Sequence, residues 1–77
     1  MNNLVNIFSN EQIGEQIKHK RRLMGLTGKQ LGDRMRLSQQ QISRYERGTQ
    51  DFTIRRLCEF SIHLNCKIDY LLISRLD

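Results

Sequence analysis

The sequence predicts an all-α protein built from five short helices. The 77 residues include no proline and few aromatic residues, and the many leucine, isoleucine, arginine, lysine and glutamine residues favour helices over a sandwich or barrel. Apolar residues also recur at the spacing of one helix face. A chain this short makes one domain and buries only about 60% of its unfolded surface, so a partner subunit would help to stabilise it.

The first helix is predicted over residues 10–24, after an N-terminal extension over residues 1–9. Ile13, Ile17 and Met24 recur at helical spacing on one apolar face. Ser9 or Asn10 can cap the start of the helix, and Gly25 ends it. Arg21 interrupts the apolar face, and a charge there needs a fixed partner. Glu46 is the acid available on an inward-facing stripe of the next two helices.

Two capping boxes mark the starts of the second and third helices, eleven residues apart. In Thr27-Gly28-Lys29-Gln30 and Ser38-Gln39-Gln40-Gln41 the hydroxyl can accept from the third helical amide while the last glutamine reaches back to the cap. These starts predict helices over residues 28–35 and 39–47, the second ended by a glycine. Only Arg36 and Leu37 connect the second helix to the cap at Ser38, so the helices must cross steeply, as in a helix-turn-helix unit.

The third helix is predicted to have one apolar and one polar face. Leu31 and Met35 of the second helix and Ile42 and Tyr45 of the third face inward, and Gly32 permits a close approach between the two helices. The exposed face of the third helix carries a polar stripe without negative charge, made of Gln40, Ser43, Arg44 and Arg47. Glutamine can pair bidentately with adenine, and arginine with guanine.

Two further helices are predicted over residues 54–64 and 68–75. Thr53 caps the first of them, whose inner face is expected to hold Ile54, Leu57, Cys58, Ser61 and Leu64. Ile68, Leu71 and Leu72 are expected to close the core. Ile73 and Leu76 are left over, and with Tyr70 they are the candidates for a dimer surface.

Positive charge is concentrated in the middle of the chain. The formal net charge is +5, and residues 18–48 hold nine basic and two acidic side chains. Such a patch fits nucleic acid, but also a merely solvated face, a membrane surface or an acidic protein. The first ten residues lack the features of a signal peptide or a span, which predicts a cytoplasmic protein with two reduced, partly buried thiols at Cys58 and Cys66.

Residues 13–72 resemble the Cro/repressor, or XRE-like, helix-turn-helix family. The segments that carry the resemblance are GEQIKHKRRLMGLTGKQLGDRM, LSQQQISRYERG and LCEFSIHLNCKIDYLL. It implies a lambda-repressor-like fold and binding to a double-stranded DNA operator, usually as a homodimer. By position, it implies base reading by Gln39, Gln40, Ser43 and Arg44, and phosphate contacts by Thr27, Thr49, Gln50 and Arg55. It also implies the Arg21–Glu46 ion pair, as a brace between two helices.

Three positions depart from the family pattern. Gly28 stands where family members usually carry a glutamine that contacts phosphate. The phosphate contact is therefore either missing here or made by Lys29. Arg36 replaces a left-handed glycine, at a cost of about 1 kcal/mol if the backbone is kept; it is also placed to reach phosphate, as is Arg47. Lys67 replaces the usual cap of the last helix, which leaves the start of that helix open by a residue or two.

The run TGKQLG followed by SQQQISRYERG is similar to small bacterial regulators associated with fimbrial operons, some of which also affect motility. The main alternative function is a protein-interaction module, such as the antitoxin partner of a toxin, which would not be expected to keep a basic exposed stripe. An enzyme is disfavoured because no nucleophile elbow, phosphate loop or paired carboxylates occur. Cys58, His63 and Cys66 lack a metal-site spacing, and no cofactor, small-molecule ligand or membrane contact is predicted.

Overall fold

A computed structural model describes residues 9–73, and within them the chain forms five helices and no strand. In chain order the helices are α1 (Asn10–Leu23), α2 (Gly28–Met35), α3 (Gln39–Arg47), α4 (Ile54–His63) and α5 (Ile68–Leu72). The predicted all-α class with five helices is therefore confirmed. Except for Ser9, the predicted N-terminal extension lies outside the described residues, as does the dimer candidate Leu76.

Side-chain caps begin the first four helices. Ser9 accepts a hydrogen bond from the amide of Gln12, and Thr53 caps α4 in the same way. The two capping boxes are complete, because the cap oxygen accepts from the N3 amide and the N3 glutamine accepts from the cap amide. These bonds satisfy amides that a helix leaves unpaired at its start, so each helix begins at a defined residue.

The core lies where all five helices meet. Its buried apolar side chains are Ile13, Ile17, Leu31, Met35, Ile42, Tyr45, Leu57, Phe60, Leu64 and Leu71. Helix α3 packs against both α1 and α2, so its two apolar residues are held from two sides. Burial of one face of α3 leaves its opposite face in solvent.

Helix α4 is rotated relative to the prediction. Leu57 and Leu64 are buried as expected, but Ile54 is 74% exposed and Cys58 is also exposed, so their predicted inward positions are wrong. Phe60 takes that place and is fully buried. It lies between the two leucines at helical spacing, and its ring buries more apolar area than a cysteine or serine would.

The two cysteines are free but differ in burial. Cys66 is partly buried as predicted, whereas the prediction of a partly buried thiol is wrong for the exposed Cys58. Burial raises the pKa of the Cys66 thiol, an effect that nearby Lys20 opposes. Burial of this thiol therefore disfavours its reactive thiolate form.

Helix α5 ends at Leu72 rather than at residue 75, because Ile73 is extended. Gln16, a buried residue of α1, donates through Nε2 to the carbonyls of Tyr70 and Ile73, each at 2.9 Å. These bonds replace the helical partners that the two carbonyls would otherwise need. At the other end Lys67 makes no side-chain cap, yet α5 begins at Ile68 as predicted.

Candidate nucleic-acid interface

The turn between α2 and α3 keeps its left-handed residue although that residue is arginine. Arg36 has φ 59° and ψ 41°, and the amide of Leu37 donates to the carbonyl of Gly32 at 2.8 Å. A Cβ at Gly32 would lie 2.5 Å from the carbonyl oxygen of Leu37. The close approach of the turn to α2 therefore depends on glycine at residue 32, and the Arg36 side chain is exposed at the turn.

The polar stripe of α3 forms one continuous surface. Gln40, Ser43, Arg44 and Arg47 line a shallow depression on the side opposite buried Ile42 and Tyr45. Two of its members are cations, and the remaining two can both donate and accept hydrogen bonds. The surface thus offers the donor and acceptor pattern that matches base edges and phosphates.

Gln39 lies apart from this depression, at the start of α3. Its side chain is exposed and passes over Gly28, where an added Cβ would meet the Gln39 Cγ at 3.8 Å. That distance is an ordinary van der Waals contact. Gln39 therefore sits beside the first residue of α2, where the amides of a second helix start also face outward.

The residues expected near phosphates differ in how far their side chains are engaged within the protein. Lys29 forms an exposed ion pair with Asp33 at 3.3 Å, which is too weak to keep it from another partner. The Thr49 hydroxyl donates to the carbonyl of Arg44, and Thr27 is used as a cap. Arg55 is exposed in the first turn of α4.

Arg21 and Glu46 form a bidentate ion pair between α1 and α3. Arg21 Nε lies 2.6 Å from Glu46 Oε2, and Nη2 lies 3.0 Å from Oε1. The third donor, Nη1, reaches the carbonyl of Leu26 at 2.8 Å. The hydrogen bond to Glu46 raises the pKa of Arg21 against the opposing effect of burial. Glu46 is thereby turned inward, which removes the one acid of α3 from the polar stripe.

Residues 17–71 match the sequence pattern of the helix-turn-helix family. The chain belongs to the helix-turn-helix family. The matched residues include the turn, the whole of α3, α4 and all but the last residue of α5, so the resemblance to Cro/repressor proteins is confirmed at this level. No curated protein sequence matches the chain, and the association with fimbrial operons stays a prediction.

Three solved structures are similar to this chain in fold. The clp gene regulator ClgR from C. glutamicum has a TM-score of 0.77 and 24% identity, covering 82% of each chain. The restriction-modification controller protein C.AhdI from Aeromonas hydrophila has a TM-score of 0.75 and 18% identity, and the match covers 80% of this chain and 94% of that one. The DNA-binding domain of BldD has a TM-score of 0.75 and 25% identity, and the match covers 80% of this chain and 90% of that one.

Two features of this helix-turn-helix domain were not predicted from the sequence. One is a cluster in which Tyr45 packs on Phe52 and Phe60 while its hydroxyl meets Gln50 and Arg56. The other is the buried amide of Gln16. The spacing of Phe60 from the leucines of α4 was a usable signal for the first, whereas no pattern in the sequence indicates which side chains the Tyr45 hydroxyl contacts.

Over residues 9–73, His, Cys, Asp and Glu form no group of three or more that could hold a metal ion. Across the same residues, each helix falls short of the length and apolarity that a membrane crossing requires.

Proposed function

We propose that this protein is a sequence-specific, double-stranded DNA-binding transcriptional regulator that inserts α3 into a major groove. The observation that carries the proposal is the polar stripe, which combines two arginines, a glutamine and a serine on one exposed face. The capped start of α3 and the Arg21–Glu46 pair hold this face in a fixed orientation. Similarity to regulators and to a DNA-binding domain supports the same function.

Within this function the candidate residues divide into two roles. Gln39, Gln40, Ser43 and Arg44 are proposed to contact base edges, because they lie in the first turns of α3, which enter the groove in such motifs. Lys29, Arg36, Arg47, Thr49, Gln50 and Arg55 are proposed to lie near phosphates, with Thr27 contributing through the α2 start. Phosphate contacts position the protein, and base contacts specify the sequence.

Replacing Arg44 and Arg55 separately tests this division. Arg44→Ala should lower discrimination at one base pair by about 1–3 kcal/mol. Arg55→Ala should weaken binding to all sequences alike and reduce the slope of log affinity against log salt by about 1. The measurement is a salt titration of both variants on the best site and on random DNA. Equal loss on both DNAs for Arg44→Ala would contradict base reading.

The operator for this measurement is obtained by selecting bound fragments from genomic DNA. The similarity of the TGKQLG and SQQQISRYERG segments to fimbrial regulators supports fimbrial or motility promoters as targets. Enrichment of such promoters among the bound fragments is the expected result. Enrichment of unrelated promoters alone would remove the fimbrial role but would leave sequence-specific DNA binding in place.

A homodimer on a pseudo-palindromic operator is the proposed assembly, with half-sites about 34 Å apart. Tyr70 and Ile73 line a shallow, mainly apolar groove together with Cys66, Lys67 and Asp69, and Ile73 is 51% exposed. A charged side chain in place of Ile73 would destabilise an interface that buries this residue. The proposed surface consists of α5 and the residue that follows it, and its residues are separate from those of the polar stripe of α3.

Ile73→Asp should raise the dimer dissociation constant by at least about tenfold, because two isoleucines per dimer would lose apolar burial. Ile62→Asp is the matched control, since Ile62 lies on α4 and is 72% exposed. Sedimentation at tens of micromolar, with and without operator DNA, gives both values. A monomeric wild-type chain under both conditions would contradict the dimer, and a larger effect at Ile62 would move the interface to α4.

A further inference from the structure

Tyr45 joins α3 to the loop that follows it. Its ring is buried and lies 5.0 Å from the ring of Phe52 and 5.3 Å, edge-on, from that of Phe60, measured between centroids. Aromatic packing of this kind leaves a side chain little freedom to rotate. The hydroxyl is therefore held at a defined place at the edge of the core.

Two side chains donate to that hydroxyl. Gln50 Nε2 lies 3.2 Å from the oxygen and Arg56 Nε lies 3.1 Å from it. Arg56 is further engaged by Glu59, with Nη1 at 2.7 Å from Oε1, and its guanidinium lies over the Tyr45 ring. Arg56 is thus bound within the protein, and the neighbouring Arg55 is the cation exposed to solvent.

Gln50 keeps part of its hydrogen-bonding capacity. A primary amide has two N–H donors, and among residues 9–73 Tyr45 is the one partner of the Gln50 amide. The loop beside it is also held, because the Thr49 amide donates to Arg44 O at 3.0 Å and the Asn10 side-chain amide donates to the Asp51 carboxylate at 2.8 Å. The remaining N–H of Gln50 is consequently a pre-positioned donor.

We propose that the Tyr45 hydroxyl is a positioning group that orients the Gln50 amide toward a phosphate of the DNA backbone. The inference rests on the proposed DNA-binding function and adds to it a buried residue that does not itself touch DNA. A glutamine held before binding loses less rotamer freedom on contact, which corresponds to roughly two- to tenfold in affinity. Tyr45 in this way links the orientation of α3 to the phosphate contact after it.

Tyr45→Phe tests the proposal because it removes the oxygen and keeps the ring. Affinity should fall roughly two- to tenfold on both the selected site and random DNA. The salt slope should stay as in the wild-type chain, since no charge is lost. In the free protein the side-chain amide resonance of Gln50 should shift. Ser61→Ala, which removes the 2.8 Å hydroxyl hydrogen bond to the Cys58 carbonyl, is the control and should bind DNA normally.

A double-mutant cycle separates positioning from a general structural role. In a Gln50→Ala background, Tyr45→Phe should cause no further loss of affinity, because its effect passes through Gln50. An undiminished loss in that background would overturn the proposal, as would an unchanged affinity of Tyr45→Phe alone. Absence of DNA binding by the wild-type chain would overturn the proposed function as well, which distinguishes the two failures.

Discussion

Glu46→Gln should lower the free energy of unfolding by about 3–5 kcal/mol, the usual cost of removing one partner from a buried ion pair. The side chains of Arg21 and Glu46 are only 12% and 8% exposed. Without the carboxylate, the guanidinium would keep its bond to the Leu26 carbonyl and lose its counter-ion in a site that water barely reaches. For a domain of this size, such a loss is a large part of its stability, about 4–12 kcal/mol in total.

Thermal and denaturant unfolding measure this effect, and Asp33→Asn provides the control. Asp33 also pairs with a cation, Lys29, but both side chains are about two-thirds exposed or more, so the control should change stability by at most about 0.5 kcal/mol. Replacing both Arg21 and Glu46 by methionine and leucine should restore much of the loss, because no uncompensated charge remains. Equal effects of Glu46→Gln and Asp33→Asn would contradict the role of the pair as a brace.

Gly14→Ala should lower the melting temperature by about 10–20 °C, which follows from about 2–3 kcal/mol of overpacking in a domain of this size. A Cβ on Gly14 would collide with the carbonyl oxygen of Tyr45 and would lie 2.5 Å from that of Glu46. Both obstacles are backbone atoms near the end of α3, so α1 and α3 would have to separate. This loss exceeds the roughly 1 kcal/mol that alanine gains over glycine inside a helix.

Gly28→Ala is the control for this substitution. An added Cβ there would meet only side-chain atoms, of Gln39 and Ile42, at ordinary contact distances, so its melting temperature should be unchanged or higher. Scanning calorimetry of the two alanine variants gives the comparison. A Gly14→Ala variant as stable as Gly28→Ala would show that α1 and α3 do not approach as closely as the structure indicates.

Local signals in the sequence accounted for most of the fold. The capping boxes at Thr27 and Ser38 are contacts between residues three apart in the chain. Four consecutive residues are therefore enough to predict the start of α2, and four others the start of α3. The inward positions of Ile42 and Tyr45 follow from helical spacing, and both are buried. The polar stripe is the complement of that face and could be predicted with it.

Long-range contacts were harder to predict because they depend on how helices rotate against one another. In α4 several apolar faces were possible, and the ring of Phe60 decided between them by its size. The early end of α5 depends on Gln16, which is 54 residues before Tyr70 in the chain. The same holds for the Tyr45 hydroxyl, whose partners come from a loop and from the next helix.

The residues that form the polar stripe are different from the residues that cap, bury and brace α3. Ser38 and Gln41 cap α3, Ile42 and Tyr45 anchor it, and Glu46 braces it, so the residues of the stripe are not needed for these tasks. Among residues 9–73 the side chains of Gln39, Gln40 and Arg44 make no hydrogen bond to the protein. Under the proposed function, a library restricted to these positions should change DNA preference while the scaffold keeps its stability.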